Sequence, residues 1–329
     1  MHDDLYADAL RALLADHCTP QTVRAIEHGG SPTALWTAIE ASGFADALVP
    51  DDQGGAGLTW PEAFPLFELC GSVVLPVPLA ETMAARALLA QAGVAPPAGS
   101  IALAQGVRTD DGGVTCCRVS AGGVADWVLA GVGDTGQLLP TAAATSAPAV
   151  APLDATLAWA PAAVAAAHTL ACGADALRTV QAGVVAAQLA GALGAVFTRT
   201  LQFANERQQF GRAIGKFQAI QHQLAVIAEH VFAARMAAQL GCGGDRLRVA
   251  VAKARTAEAA LEVASLSHAI HGAIGFTEEF DLQLYTRRLH AWRQAAGAES
   301  YWQEVLGTAL LDGTDGPALD LLRTLTDPA

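Results

Sequence analysis

Glu206-Arg207-Gln208-Gln209-Phe210-Gly211-Arg212-Ala213-Ile214-Gly215-Lys216-Phe217-Gln218-Ala219-Ile220-Gln221-His222-Gln223-Leu224-Ala225 is the stretch on which the reading of this chain turns. Before it runs a long alanine-rich apolar segment, His168 to Asn205, and after it a second, Phe217 to Leu240. The stretch therefore joins two helices. Phe210-Gly211 reads as the end of the first, since glycine accepts the left-handed conformation that stops a helix. Three cations, Arg207, Arg212 and Lys216, lie between the helices. The second helix adds its free N–H groups and positive dipole end. Such a corner can hold a diphosphate, although an ordinary basic helix–helix turn has the same composition.

Outward from that corner, Arg246 to His271 and Leu282 to Leu311 supply a third and a fourth helix. Four helices with short connections most simply make an antiparallel bundle. Between about 96 and 160 the texture changes. Short apolar runs (Ser100 to Ala104, Gly113 to Val119, Trp127 to Ala130, Gln137 to Leu139) are divided by Gly, Asp and Pro, which predicts short strands and tight turns. Residues 3 to 94 read as interrupted helix. Ser31-Pro32 predicts a helix start, with a capping residue followed by proline at the first helical position, and Gly43 predicts its end. Glu62 to Gly71 and Leu79 to Ala92 resume the helical period around Pro76-Val77-Pro78. The loop Gly54-Gly55-Ala56-Gly57 has no strand leading in and no acidic residue at the distance a dinucleotide fingerprint needs. The expected organisation is an N-terminal helical domain (1–95), a shortened middle β-domain (96–160) and a C-terminal four-helix bundle (161–329).

Composition limits the partners. Of 329 residues, 52% are hydrophobic and 16% charged, which suits a packed core rather than a disordered chain. Acidic residues outnumber basic ones 32 to 19, a net charge of −13, which argues against nucleic acid and requires a local basic patch for any anionic ligand. No uninterrupted apolar run approaches the roughly 18 residues of a membrane span. Met1-His2-Asp3-Asp4 lacks a basic leader, and Cys18, Cys70, Cys116, Cys117, Cys172 and Cys242 show no metal-like spacing. Free thiols and a cytoplasmic location are the expectation.

Arg207-x-Gln209-Phe210-Gly211, then Ile214, Phe217-Gln218-Ala219-Ile220 and His222-x-Leu224-Ala225, resemble the long signature of the acyl-CoA dehydrogenases. A second block, His271-Gly272-Ala273-Ile274-Gly275-Phe276-Thr277-Glu278-Glu279, resembles that family's glycine-containing turn before the last bundle helix, and Tyr285-Thr286-Arg287-Arg288 its arginine-bearing helix. Leu48-Val49-Pro50 with Gly54 to Leu58, and Leu75 to Thr82, fit as well; the likeness is poorest between about 96 and 160. It implies a mainly α fold with a small β-domain: an N-terminal helical domain, a middle β-barrel-like domain and a C-terminal four-helix bundle. It also implies FAD between β-domain and bundle, with a neighbouring subunit completing the site. By position, Arg207 would meet the FAD diphosphate of the partner subunit, Phe210 and Gln218 would line the same cofactor, and Gly272 would let backbone approach it. The implied reaction is α,β-desaturation of an acyl-CoA thioester: a carboxylate takes the α-proton while hydride leaves for the flavin, whose electrons pass to an electron-transferring flavoprotein.

The chain departs from the family at the base. The usual glutamate, counted from Arg287-Arg288, falls on Ala296; the alternative in the first bundle helix falls on Gln181. Neither accepts a proton usefully at neutral pH. Glu299 lies three residues beyond Ala296 and is the nearest substitute, though a solvated surface glutamate reads the same way. Ala269 and Ala273 also replace a common glutamine and glycine. These departures resemble the short subunits of bacterial two-chain acyl-CoA dehydrogenases that shorten steroid side chains, in which one chain carries the base. A relocated base in a homo-oligomer, and a non-catalytic subunit that assembles with an active paralogue, remain open at this point. His268 and His271 lack a third metal ligand at suitable spacing, and Cys116-Cys117 point to opposite faces of a strand. No G-x-S-x-G elbow supports a hydrolase.

Overall fold

The computed structural model describes residues 3–243, 245–313 and 318–326. Five helices open the chain: α1 (Asp3–His17), α2 (Pro20–Glu27), α3 (Thr33–Ala41), α4 (Trp60–Ser72) and α5 (Leu79–Gln91). Local chemistry sets their ends. A capping box of Thr59 and Glu62 starts α4. At α3 the sequence signal is displaced by one: Pro32 is the cap and Ser31 Oγ accepts from Thr33 N at 3.2 Å. Gly43 stops the segment at φ +79°, as expected. Arg86, 4% exposed, binds the region together by pairing with Glu40, with Asp46 at 2.9 Å and with the Gly99 carbonyl at 3.1 Å.

Seven strands follow: β1 (Ile101–Arg108), β2 (Val114–Val119), β3 (Trp127–Val132), β4 (Thr135–Pro140), β5 (Ala144–Pro148), β6 (Ala155–Trp159) and, after the short α6 (Pro161–Ala165), β7 (His168–Leu170). They form one sheet in the order β5-β6-β2-β1-β3-β4-β7, antiparallel except for β1 beside β3. β1 changes partner midway: Ile101 to Gln105 pair with β3 and Gly106 to Arg108 with β2. The sheet therefore bends along β1 around its own small core of Ala102, Val114, Cys116, Val128, Leu157 and Trp159. It is a bent, open form of the expected barrel-like domain, and its last strand lies beyond residue 160.

The bundle consists of α7 (Ala174–Glu206), α8 (Gln218–Gly241), α9 (Arg246–His271) and α10 (Leu282–Gln294), followed by α11 (Glu299–Gly313) and α12 (Ala318–Thr326). Among the described residues α7 alone is long and apolar enough to cross a membrane, with a hydropathy of 1.7 in its best window, yet 72% of that window is buried inside the protein. It is the axle of the fold, packed by α4, α8, α9, α10 and the sheet. Against α4 its backbone approaches without intervening side chains. A Cβ on Gly71 would lie 1.9 Å from the Gln188 carbonyl oxygen, and one on Gly191 would lie 1.9 Å from that of Glu68.

Two connections differ from expectation. The first bundle helix ends at Glu206, so Phe210-Gly211 does not terminate it. These residues form the tip of a hairpin between β8 (Gln208–Gln209) and β9 (Arg212–Ala213). Both have positive φ, 52° and 79°, as a two-residue hairpin turn requires. The expected last helix, Leu282 to Leu311, is broken at residues 295–298, where Ala296 and Gly297 take φ of 55° and 103°.

Candidate functional site

A cavity of about 710 Å³ opens between the sheet and the bundle. Its walls are residues 103–105 of β1, 117–119 of β2, the 149–154 loop, Arg178 and Gln181 of α7, the last turns of α10 and the break at 295–298. Gln181 and Ala296, the two positions at which the base was sought, face this one cavity from two different helices. A second hollow of about 610 Å³ between Trp60, Gln91 and Arg248 contains neither.

The floor is a fixed hydrogen-bond set. Gln181, 4% exposed, donates through Nε2 to the Leu103 carbonyl at 2.7 Å, and the Leu103 N–H donates to Glu81 Oε2 at 2.7 Å. Glu81 comes from α5 and is itself 3% exposed. Burial pushes its carboxyl up to about 8, against the hydrogen bonds from Leu103 and Gln181. Burial therefore favours its protonated form at neutral pH, directly behind the cavity wall. The family block Leu75 to Thr82 gives Glu81 no role; a glutamate inside a largely apolar helix is its one sequence signal. Because the folded chain holds this proton more tightly, it binds more protons than the unfolded chain between 4.5 and about 8. Stability therefore falls as pH rises through that window. Glu81→Gln keeps an acceptor for Leu103 and removes the titration. Urea unfolding at pH 5.5 and 8 should show the native chain losing on the order of 2–3 kcal/mol more than the variant. Equal losses would mean that Glu81 is ionised in the fold.

The rim carries charge. Asp154 lines the cavity and takes a hydrogen bond from Ala121 N at 3.2 Å. Burial lifts its carboxyl to about 6, opposed by the charge of Arg288. Arg118, Arg178, Arg287 and His290 also face the cavity, a basic lining in an acidic protein.

The break at 295–298 is clamped from behind. Lys253 of α9, fully buried, donates to the carbonyls of Arg293 at 2.9 Å and Gly297 at 2.8 Å, and Trp302 Nε1 donates to that of Ala296 at 3.1 Å. Glu299, the substitute base of the sequence reading, is turned away from this role. It pairs with Arg293 and does not line the cavity. Burial alone would raise its carboxyl, but the Arg293 hydrogen bond and the Lys253 charge hold it below the usual carboxylate range. A helical turn after Ala296 would have put both residues on one face; the left-handed break does not.

The four residues expected at a cofactor lie elsewhere on the bundle, and none lines the cavity. Arg207 caps α7, Phe210 stands 90% exposed at the hairpin tip, and Gln218 opens α8 with its side chain exposed. Arg212 is stacked on Phe217 with its guanidinium 4.2 Å from the ring centre. Gly272 caps α9 at φ 67°, ψ −149°, a conformation reserved for glycine, yet no atom stands within 4 Å of where its Cβ would be. The backbone angle rather than crowding within this chain demands glycine. His268 stacks on Phe276 and bonds Thr286, and His271 stacks on Phe203 and bonds the Ser267 carbonyl. Cys116 is buried and Cys117 faces out toward the cavity.

With this geometry in place, comparison with known proteins is direct. Residues 178–311 match the family model described as acyl-CoA dehydrogenase, C-terminal domain. The acyl-CoA dehydrogenase IpdE2 of Mycolicibacterium smegmatis is 32% identical over 300 residues, 89% of this chain and 94% of that protein. IpdE2 of Mycobacterium tuberculosis is 31% identical, covering 87% and 90% of the two chains. Among solved structures, the ChsE4-ChsE5 complex from Mycobacterium tuberculosis superposes with a TM-score of 0.83 at 20% identity, covering 96% of this chain and 98% of the other. A variant of the Tcur3481-Tcur3483 steroid ACAD gives 0.83 at 23%, covering 95% and 98%. The chain belongs to the acyl-CoA dehydrogenase family. Its mainly helical fold with a small mixed sheet is that family's fold, and the family's cofactor is FAD.

Proposed function

We propose that this chain serves as one subunit of a paired FAD-dependent acyl-CoA dehydrogenase, in which an unlike chain supplies the carboxylate base. The observation that carries the reading is the convergence of Gln181 and Ala296 on one cavity: both base positions are present in space, and neither bears a carboxylate. The likeness in fold to the ChsE4-ChsE5 complex and to the Tcur3481-Tcur3483 steroid ACAD supports pairing. The site fits an anionic, partly apolar cofactor. Arg118, Arg178 and His290 face an otherwise alanine-rich hollow, while Arg207, Phe210 and Gln218 project from the α7–α8 corner, exposed toward whatever chain packs there. FAD held there would supply a hydride acceptor for the β-carbon of a thioester. This chain's contribution is to grip phosphate through Arg207, present aromatic surface through Phe210 and exclude water. The acyl-CoA substrate and electron transfer to an electron-transferring flavoprotein follow from the family reaction.

A second reading, an assembly subunit with no share in the flavin site, draws on the same missing carboxylate. The flavin itself separates the two. The chain should acquire a visible flavin spectrum when copurified with a base-bearing paralogue, and that spectrum should bleach on anaerobic addition of an acyl-CoA thioester. Arg207→Ala should lower the flavin retained per assembly several-fold without dissolving the assembly, since one charge-assisted phosphate contact is worth about 1.5–3 kcal/mol. Unchanged flavin content would favour the assembly role. Bleaching of the chain by itself would show that it carries its own base.

A further inference from the structure

Beyond this reading, the cavity contains a cation that the fold leaves unanswered. Arg178 projects from α7 one turn before Gln181 and lines the hollow beside the 295–298 break. Its guanidinium lies 5.0 Å from the ring centre of Tyr301 and makes no hydrogen bond or ion pair among the described residues. Two other charges in the wall are engaged, whereas Arg118, exposed on β2, also makes no hydrogen bond or ion pair among the described residues and acts on Asp154 through its charge alone. Arg287 is paired with Glu27 at 2.7 Å, and Asp154 is held by Ala121 N and faces the charge of Arg288. The same hollow is lined by Leu103, Ala104, Ala291, Ala295 and Ala296, with Gln105, Gln181 and Gln294 among them. A half-buried, forked donor at the edge of an apolar chamber matches one ligand design, an apolar body ending in a planar pair of anionic oxygens. It stands next to the two base positions, in the same hollow as Asp154.

We infer that the cavity is a binding site in its own right for an apolar carboxylate, whose two oxygens pair with Arg178, and that the ligand is bound there without being oxidised. The same anionic-oxygen chemistry could come from a phosphate group, and the experiment distinguishes the two sources. The full chain, alone and in its copurified assembly, is titrated calorimetrically with 3-cyclohexylpropanoate, with its uncharged amide and with inorganic phosphate. The acid should bind at one site per chain and at least about tenfold more tightly than the amide, a ratio set by a charge-assisted pair against a neutral one. Arg178→Met should remove that preference and leave the amide's affinity unchanged. Ala291→Leu, which fills the chamber and leaves the Arg178 charge in place, should weaken acid and amide alike and so locate the site if Arg178→Met fails to fold. Equal affinity for acid and amide in the native chain would overturn the proposal, as would no binding of either. Phosphate binding as tightly as the acid and lost in Arg178→Met would reassign the cation to a phosphate and overturn the carboxylate assignment. Because the paired-enzyme reading sets the cofactor against the same hollow, the titrations are read on flavin-free protein and the bleaching on the assembly, and the failure of one leaves the other standing.

Discussion

Gly191→Ala should cost the chain about 3 kcal/mol, whereas Gly194→Ala, three residues along the same helix, should be neutral or stabilising. Both glycines lie within α7, and alanine is the better helix former by about 1 kcal/mol at either. The difference lies outside the helix. At Gly194 a Cβ meets nothing within 4 Å, but at Gly191 it would stand 1.9 Å from the Glu68 carbonyl and 2.8 Å from the Ser72 amide nitrogen. Those atoms are backbone of α4 and cannot rotate away. Relief requires the two helices to separate, breaking a contact made from both sides, since Gly71 meets Gln188 in the same manner. Overpacking that shifts backbone typically loses 1–3 kcal/mol, and this case belongs at the upper end. Urea unfolding of the two variants beside the native chain measures it. Equal midpoints for the two variants would show that α4 and α7 slide apart freely.

Lys253→Met should lose about 3 kcal/mol and change the pH profile. Methionine keeps the length but removes the donor shared by the Arg293 and Gly297 carbonyls, leaving two buried acceptors unpaired at about 1–3 kcal/mol each. Burial lowers the Lys253 ammonium from 10.5 to about 7, despite the attraction of Glu299. Between those values the unfolded chain binds more protons than the folded one, so this residue makes stability rise with pH from about 7 toward 10.5. The variant should lack that rise. Unfolding midpoints at pH 7 and 9.5 test both parts, and parallel profiles would indicate that Lys253 stays fully charged in the fold.

The helices were legible because their signals are local. α8 and α9 fall within a residue or two of the segments read from apolar spacing, and the Thr59–Glu62 box starts α4 where helical spacing resumes. The strands were legible only where apolar residues cluster. β5 is exposed along nearly its whole length, and in β6 only the alternate residues Ala155, Leu157 and Trp159 are buried, so both fall outside the apolar runs. The hairpin tip at Phe210 and the break at Ala296 put non-glycine residues at positive φ, which composition does not signal. The candidate site divides in the same way. Gln181 and Ala296 could be found by counting from family motifs, but their meeting in one cavity is a property of packing. Glu81, Asp154 and Arg178 come from α5, a sheet loop and α7, and only burial makes two of them unusual acids and the third an unanswered cation.

The clamp on residues 295–298 holds backbone alone. Lys253 and Trp302 grip carbonyl oxygens, so the left-handed bend at Ala296 does not depend on the side chain there. A mount of this kind holds its place whichever side chain stands at that position. On the paired reading, the division of labour between two chains then rests on the side chain at this position and not on any barrier in the architecture of this one.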